Sequence, residues 1–258
     1  MSMYLTTEDY PDQSQWLDQL ENADAIAVML DNQAGAISAL KQASAALDAA
    51  IAAMAERLGA SSSGRIIYAG AGTSARIGVQ DGVELTPTFN WPQERLGYVI
   101  AGGMGALMQS VEGAEDHADA GQTAVTNAGI NDKDVVIGLA ASGTTTFTIS
   151  VLAAALQQGA LTIGISNNRQ TPLLDAAEYP ILLETGGEVL AGSTRLKAGT
   201  AQKICLNTIS TLVMARLGRI KNGLMVAMKP TNAKLVRRKE QMDEYLAKLT
   251  DHMTNETI

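Results

Sequence analysis

Residues 65–80 read RIIYAGAGTSARIGVQ, and this stretch predicts a buried strand, a glycine turn and a helix in direct succession. The predicted strand, Arg65–Ala69, is the first of five short apolar runs; the others are Gly97–Ala101, Asp134–Ala140, Ala160–Ser166 and Tyr179–Leu183. Strands that are apolar on both faces are typical of a parallel sheet covered by helices on both sides. Helical patterns separate most of the runs, at Thr73–Val83, Gly105–Val111, Thr145–Gln158 and Leu173–Ala176. This alternation predicts a doubly wound α/β fold.

A further helix is expected before the first strand. Residues 32–58 are rich in alanine and carry apolar side chains at helical spacing, so they predict a helix over Asn32–Leu58 that Gly59 ends. The apolar stripe of this helix packs on the sheet or forms a subunit interface, and the sequence leaves both alternatives open.

The ends of the chain are expected to be helical extensions of one domain. Helices are predicted at Ala198–Leu217 and Asn232–Leu249, and no stretch has the composition of a linker. We therefore expect a single domain over residues 32–258. Residues 1–31 are expected to form an arm with a short helix near Gln13–Glu21.

Composition and charge exclude several classes of protein. The 258 residues include 19 Lys and Arg against 27 Asp and Glu, a net charge of −8, which argues against a general nucleic-acid binder. One cysteine and two histidines leave no disulfide framework, no cysteine-rich zinc site and no histidine-based metal site. Because no signal peptide and no membrane-spanning apolar stretch is apparent, we expect a cytoplasmic protein without membrane or nucleic-acid partners.

Two hydroxyl-rich turns carry the strongest chemical signal. The first, Gly70–Arg76, has the G-x-G-x-x-A spacing of a dinucleotide site, but no acid ends the second predicted strand to hold a ribose. Its glycines instead allow an anion to approach a helix N-terminus, where Thr73 and Ser74 offer hydroxyls. The second turn, Ala141–Thr146, repeats this chemistry after the third strand. Together the turns predict a pocket for a phosphate monoester at the carboxyl ends of the strands.

Charged groups near these turns have two interpretations each. Glu84 and Glu115 each follow a predicted helix, so each is a solvated surface carboxylate or reaches the pocket through a long return or a neighbouring subunit. The segment 186–203, GGEVLAGSTRLKAGTAQK, concentrates cations and hydroxyls. Such a loop suits an anionic substrate, although helix capping and ordinary solvated charge would explain it equally well.

At these residues the sequence resembles the N-acetylmuramic acid 6-phosphate etherases. They belong to the sugar-isomerase (SIS) phosphosugar-binding superfamily, which also includes the glucokinase regulatory protein. The resemblance covers roughly residues 32–240. Its matching stretches are GRIIYAGAGTSARIGVQDGVELTPTF (64–89), IAGG (100–103), SVEGAED (110–116), VVIGLAASGTT (135–145), GEVLAGSTRLKAGTAQK (187–203) and GLMVAMKPTNAKL (223–235). The most specific of them is STRLKAGTAQK.

The resemblance implies a fold and an activity. It implies a five-stranded parallel sheet, a homodimer with its active site near the subunit interface, and no metal or cofactor. The implied reaction cleaves the ether between C3 of an amino-sugar 6-phosphate and its D-lactyl group, giving N-acetylglucosamine 6-phosphate and D-lactate. Glu115 would remove the C2 proton of the ring-opened sugar, and Glu84 would protonate the departing lactate oxygen.

The resemblance also implies which residues bind the substrate. The superfamily's phosphate-binding positions fall on four hydroxyl residues: Thr73, Ser74, Ser142 and Thr145. Around them we expect further substrate contacts from Gly72, Gly143, Ser193, Thr194 and Lys197.

The sequence departs from the usual family pattern in both turns and after the first glutamate. Ala75 stands where Gly is usual, Leu85 and Thr86 replace Cys and Pro, and Thr144 and Thr146 replace Arg and Pro. Typical members also carry a small C-terminal helical domain beyond the length of this sequence. A phosphosugar-binding regulator and an aldose–ketose phosphosugar isomerase are therefore kept as alternatives to an etherase.

Overall fold

The computed structural model describes residues 4–109, 111–230 and 233–255, and its centre is a five-stranded parallel sheet. The strands are β1 (Ile66–Gly70), β2 (Leu96–Ile100), β3 (Val135–Leu139), β4 (Leu161–Ser166) and β5 (Tyr179–Leu182). They lie in the order β2-β1-β3-β4-β5, and every neighbouring pair is parallel. The predicted α/β sheet is confirmed, with each strand within one residue of its predicted start.

The part of the chain described holds eight α-helices. They are α1 (Asn22–Gln42), α2 (Ser44–Gly59), α3 (Gly72–Phe89), α4 (Ala118–Asn127), α5 (Thr146–Gln157), α6 (Pro172–Asp175), α7 (Lys197–Arg216) and α8 (Ala233–Asn255). Among the described residues, no helix has both the length and the apolar character needed to cross a membrane.

Strand alternation divides the apolar side chains between two cores. Ile66 and Tyr68 of β1 belong to a core shared with α1, α2, α3 and α7, whereas Ile67 and Ala69 belong to one shared with α4, α5 and α6. Successive side chains of a strand point to opposite faces, so a continuous apolar run fills both cores at once. The result is a three-layer α/β/α arrangement.

The prediction of one helix over Asn32–Leu58 is wrong. The chain forms two helices there, because α1 ends at Gln42 and α2 begins at Ser44. Alanine is the strongest helix former, so the alanine-rich sequence carries no stop signal at this break. α1 also begins ten residues earlier than predicted, at Asn22, and position 32 therefore lies inside it.

Helix α3 continues beyond its predicted end at Val83. It runs to Phe89 and is closed by Asn90, which has a left-handed backbone with φ of 51°. Asparagine tolerates this conformation and is a common helix terminator. Consequently Glu84 lies within α3 and not after it.

Other segments differ from prediction in smaller ways. A short 3-10 turn, Met104–Leu107, replaces the helix expected at Gly105–Val111, and Ser110 lies outside the described residues. The arm holds 3-10 turns at Gln13–Gln15 and Leu17–Gln19. The expected start of the last helix, Asn232, also lies outside the described residues.

Candidate active site

The strand order places a topological switch point between β1 and β3. The chain leaves β1 toward β2 on one side of it and returns to β3 on the other side. The carboxyl ends of β1 and β3 lie side by side, since their last residues, Gly70 and Leu139, are paired. Ligands of open α/β sheets bind where the connections diverge in this way. Both hydroxyl-rich turns start there.

The first turn presents an uncapped helix N-terminus. Gly72 begins α3 with φ of +53°, and Ala71 at the N-cap position has no side chain that could accept from the first amides. Thr73 is half-buried and Ser74 is buried, at 8% exposure. Free amides together with the helix dipole make such an end suited to an anion.

Ala75, in the same turn, stands where the family usually has glycine. It packs with Ile100 and Ala106 in a small apolar cluster beside the turn. Its methyl group is therefore accommodated within the packing.

The second turn is held in shape by its own side chains. Ser142 Oγ accepts from the Thr144 backbone N–H at 3.2 Å and from the Thr144 hydroxyl at 3.0 Å. Gly143 has φ of +72°, and a Cβ atom there would lie 2.4 Å from Thr171 Oγ1, so only glycine fits. Thr145 is the N-cap residue of α5, and its hydroxyl makes no capping hydrogen bond.

A cavity of about 320 Å³ lies beside the first turn. It is lined by Ala71, Gly72, Arg76, Ala101, Ala106, Val111, Glu112, Gly113, Ala114 and Glu115. Glu115 arrives there because the chain after β2 folds back on itself. Gly102, with φ of +77°, makes the turn, and Val111 packs so closely that a Cβ on Gly102 would lie 2.9 Å from Val111 Cβ.

Glu84 does not line this cavity. It is exposed on α3, twelve residues after Gly72, which is about 18 Å along the helix axis. Glu115 is exposed as well, at the mouth of the cavity. The two glutamates therefore do not line one cavity within a single chain.

The segment 186–203 begins with a buried helix cap that sequence reasoning missed. Glu188, only 1% exposed, accepts from the backbone amides of Lys197 at 3.1 Å and Ala198 at 2.8 Å. A carboxylate at a helix N-terminus satisfies free donors and complements the helix dipole. The signal available in the sequence was an acid before a helix, but a separation of nine positions exceeds any capping pattern.

Lys197, expected to contact substrate, holds the loop in this structure. Its Nζ donates to the Gly187 carbonyl at 2.6 Å. Its aliphatic stem packs against Gly35 of α1, so closely that a Cβ on Gly35 would lie 3.1 Å from Lys197 Cδ. Burial lowers the pKa of Lys197, and the charge of Glu188 opposes that shift.

Ser193 and Thr194 lie in the loop just before α7, and the loop approaches the first turn. A Cβ on Gly199 would lie 3.2 Å from the Thr194 carbonyl oxygen and 3.7 Å from Thr73 Cγ2. The start of α7 and the start of α3 are therefore in contact, and this places Thr194 near the uncapped helix end. The Ser193 carbonyl accepts from the Leu196 amide at 3.1 Å, which shapes the loop.

Arg76 is a second residue that sequence reasoning missed. It lies one turn after Thr73 on α3, and residues three apart share a helix face. That spacing was the available signal. Its guanidinium donates to the carbonyls of Leu107 at 2.9 Å and Ala106 at 3.0 Å, and it lines the cavity together with Glu112 and Glu115.

The arm covers the carboxyl end of the sheet. Thr7 is fully buried and bonds to Asn168, which follows β4. Glu8 and Asp9 lie against Gly192 and Gly187 of the segment 186–203. Among the described residues, no group of three or more His, Cys, Asp or Glu side chains is arranged to hold a metal ion.

Comparison with known proteins gives consistent similarities. The family described as the glucokinase regulatory protein N-terminal SIS domain matches residues 49–156. The chain is 47% identical over 240 residues to an N-acetylmuramic acid 6-phosphate etherase of Deinococcus radiodurans, covering 93% of this chain and 78% of that one. An etherase of the same name from Rubrobacter xylanophilus is 43% identical, covering 90% and 76%.

Solved structures extend the similarity of fold. A phosphoheptose isomerase from Francisella tularensis superposes with a TM-score of 0.54 at 16% identity, covering 76% of this chain and all of that one. At this identity the likeness concerns the fold, which is the doubly wound parallel sheet described above.

Proposed function

Because the chain belongs to the N-acetylmuramic acid 6-phosphate etherase family, we propose that it cleaves the D-lactyl ether of N-acetylmuramic acid 6-phosphate. The products are N-acetylglucosamine 6-phosphate and D-lactate, and the enzyme is a carbon–oxygen lyase. The observation that carries this proposal is 47% identity over 93% of the chain to an etherase of that name. The cavity at the switch point, with Glu115 at its mouth, agrees with it.

The phosphate of the substrate binds between the two turns in this proposal. Thr73 and Ser74 at the uncapped start of α3, and Ser142 and Thr145 at the start of α5, supply hydroxyl donors. Hydrogen bonds to a charged acceptor are stronger than neutral ones, and two helix dipoles add to them. Gly72 leaves room for the phosphate oxygens, because a Cβ there would meet nothing within 4 Å, and Gly143 gives the second turn its positive φ.

The reaction proceeds by elimination and then hydration. Glu115 takes the C2 proton of the ring-opened sugar, which the C1 aldehyde acidifies. The C3–O bond breaks with its electron pair on the lactate oxygen, and that oxygen receives the proton of Glu84. Water then adds to the C2=C3 double bond. Glu84 takes a proton from the water as its oxygen bonds to C3, and Glu115 returns a proton to C2. Both carboxyl groups finish in their starting states, so the catalyst is regenerated.

A homodimer completes the site in this proposal. Glu84 lies too far along α3 to act in the cavity of its own chain, so the Glu84 that serves each cavity comes from the partner subunit. Exposed apolar side chains on α1, Ile26, Leu30 and Ile37, recur at helical spacing and supply area for such an interface. A second subunit would also cover the exposed Glu115 and exclude water from the reacting atoms.

The test is direct. The purified protein is incubated with N-acetylmuramic acid 6-phosphate, and D-lactate release is followed by a coupled D-lactate dehydrogenase assay. Solvent deuterium incorporation at C2 is followed in parallel by NMR. Release of lactate together with C2 exchange supports the etherase. C2 exchange with aldose–ketose interconversion but no lactate indicates an isomerase, and binding without either reaction indicates a regulator.

A further inference from the structure

We infer that Arg76 binds the carboxylate of the substrate's lactyl group and so selects the ether-bearing sugar over sugars that lack the group. This inference rests on the proposed function, because that function supplies a substrate with two anionic ends. A phosphate and a carboxylate at opposite sides of one sugar require two separate recognition sites. The hydroxyl-rich turns provide one of them, and the cavity provides the other.

The charges that line the cavity carry the argument. Glu112 and Glu115 both line it, so an incoming carboxylate would meet two like charges. Arg76 is the single cationic side chain among the described residues that line the cavity. It forms no ion pair with any described carboxylate, so its charge is not neutralised by Glu112 or Glu115 across the same space.

The geometry of the guanidinium leaves donors for a ligand. Nε bonds the Leu107 carbonyl and Nη2 bonds the Ala106 carbonyl, which fixes the plane of the group on the wall of the cavity. Nη1 has no hydrogen-bond partner among the described residues. An arginine held on one edge in this way presents its other edge in a defined direction, and arginine is well matched to carboxylates.

The position of Arg76 along α3 fits a ligand bound at both ends. Arg76 lies one turn from Thr73, about 6 Å away along the helix surface. A single amino-sugar ring can span from the phosphate turns to the guanidinium across that separation. The reacting C2 and C3 atoms then lie between the two anchors, next to Glu115.

A matched pair of unreactive ligands tests this inference without turnover. Borohydride reduction of C1 removes the aldehyde, and without it the C2 proton is not acidic. N-acetylmuramitol 6-phosphate and N-acetylglucosaminitol 6-phosphate then differ only in the lactyl group. Their affinities are measured by calorimetry on the wild type, on Arg76→Gln and on Arg76→Lys, with thermal unfolding to verify that each variant is folded.

The expected result is a selective loss. Arg76→Gln should weaken binding of the lactyl-bearing alditol by about 10- to 100-fold, as expected for a lost charge-assisted hydrogen bond. Binding of the alditol without the lactyl group should change by less than about threefold, since its phosphate contacts remain. Arg76→Lys should recover part of the loss because the charge remains.

Two results would overturn the inference. Arg76→Gln weakening both alditols equally would show that Arg76 only supports the wall through Ala106 and Leu107. Equal affinity of the wild type for the two alditols would show that no lactyl site exists.

A further ligand tests the inference on the wild-type protein, in case the variants do not fold. It is N-acetylmuramitol 6-phosphate with its lactyl carboxylate converted to the amide. It should bind as weakly as the lactyl-bearing alditol binds to Arg76→Gln, and undiminished binding would contradict the inference. Absence of lactate release by wild type would refute the etherase and leave these titrations interpretable.

Discussion

Asn168 and Thr7 are joined by two hydrogen bonds at opposite ends of one side-chain amide. Asn168 Oδ1 accepts from the Thr7 backbone N–H at 3.2 Å, and its Nδ2 donates to Thr7 Oγ1 at 2.9 Å. Asn168 Nδ2 also donates to the carbonyl of Ala141 at 3.0 Å, and Ala141 is the residue before Ser142. The arm is therefore connected through one side chain to the turn proposed to bind phosphate.

Thr7→Val tests this connection, because valine keeps the shape of threonine and removes the hydroxyl acceptor. We expect the free energy of unfolding to fall by about 1 kcal/mol, a typical net value for one hydrogen bond. Amide hydrogen exchange across residues 4–10 should accelerate more than elsewhere. Ser14→Ala, which removes an exposed bond to Asp12, is the control and should leave exchange in residues 4–10 unchanged. Unchanged exchange in Thr7→Val would show that the hydroxyl does not hold the arm.

The two glutamates should separate the steps of the reaction. Glu115→Gln should abolish both lactate release and C2 exchange, because the amide cannot take the proton. Glu84→Gln should block lactate release and leave C2 exchange measurable, because proton abstraction precedes departure. Positioned proton transfer contributes roughly 10²–10⁴-fold in rate, so both losses are large enough to measure.

Glu112→Gln is the matched control for this pair, since Glu112 lines the same cavity and has no assigned role in proton transfer. It should retain lactate release within about tenfold of wild type, well inside the range of a lost proton-transfer group. Lactate release at the wild-type rate by both Glu84→Gln and Glu115→Gln would refute their assignment.

Ser142→Ala should weaken binding of sugar 6-phosphates. The hydroxyl is proposed to contact the phosphate, and a hydrogen bond to a charged group contributes about 1.5–3 kcal/mol, so affinity for N-acetylglucosamine 6-phosphate should fall about 10- to 100-fold. Thr146→Val is the control, because Thr146 is exposed on the first turn of α5 outside the proposed contacts. An unchanged dissociation constant for Ser142→Ala, measured by calorimetry, would place the phosphate elsewhere.

The ion pair of Arg65 and Asp134 should be a major stabilising contact at the amino ends of β1 and β3. Asp134 is fully buried, accepts from Arg65 Nη2 at 2.6 Å and from the Arg65 amide at 2.9 Å, and raises the pKa of the guanidinium. Breaking a buried pair from one side costs about 3 kcal/mol, and Asp134→Asn should lower the free energy of unfolding by that order.

Urea unfolding followed by circular dichroism measures the effect. The control is Asp48→Asn, whose 3.3 Å pair with Arg216 is exposed and should contribute under about 1 kcal/mol. Similar losses for the two variants would show that burial does not strengthen the Arg65–Asp134 pair.

Cys205 should be unreactive in the folded protein. Burial raises the pKa of its thiol far above the usual range, and the charge of Asp81 adds to the shift. Only the thiolate attacks disulfide reagents, so Ellman's reagent at pH 8 should titrate no thiol in the native state and one per chain in guanidinium chloride. The chain has one cysteine, so the stoichiometry is unambiguous. Rapid native labelling would show that α7 opens readily.

Local patterns in the sequence determined the sheet and the positions of its turns. Runs such as Val135–Leu139 fill both cores through strand alternation, and this requires no knowledge of distant residues. The glycine and hydroxyl content of the two turns likewise predicted helix starts at Thr73 and Thr145, each within one residue of the observed starts at Gly72 and Thr146. Both depend on neighbours within a few positions of the chain.

Only the tertiary structure decided which charged groups lie near which. Arg76 lines the cavity because α3 packs beside the chain returning from β2, and Glu188 caps a helix that begins nine residues later. The ammonium of Lys197, a residue expected to contact substrate, donates to the Gly187 carbonyl. The length of α3, and with it the position of Glu84, was also undetermined by local signals. Such placements depend on long-range packing, and the free energy of that packing exceeds the small differences in local propensity that a sequence displays.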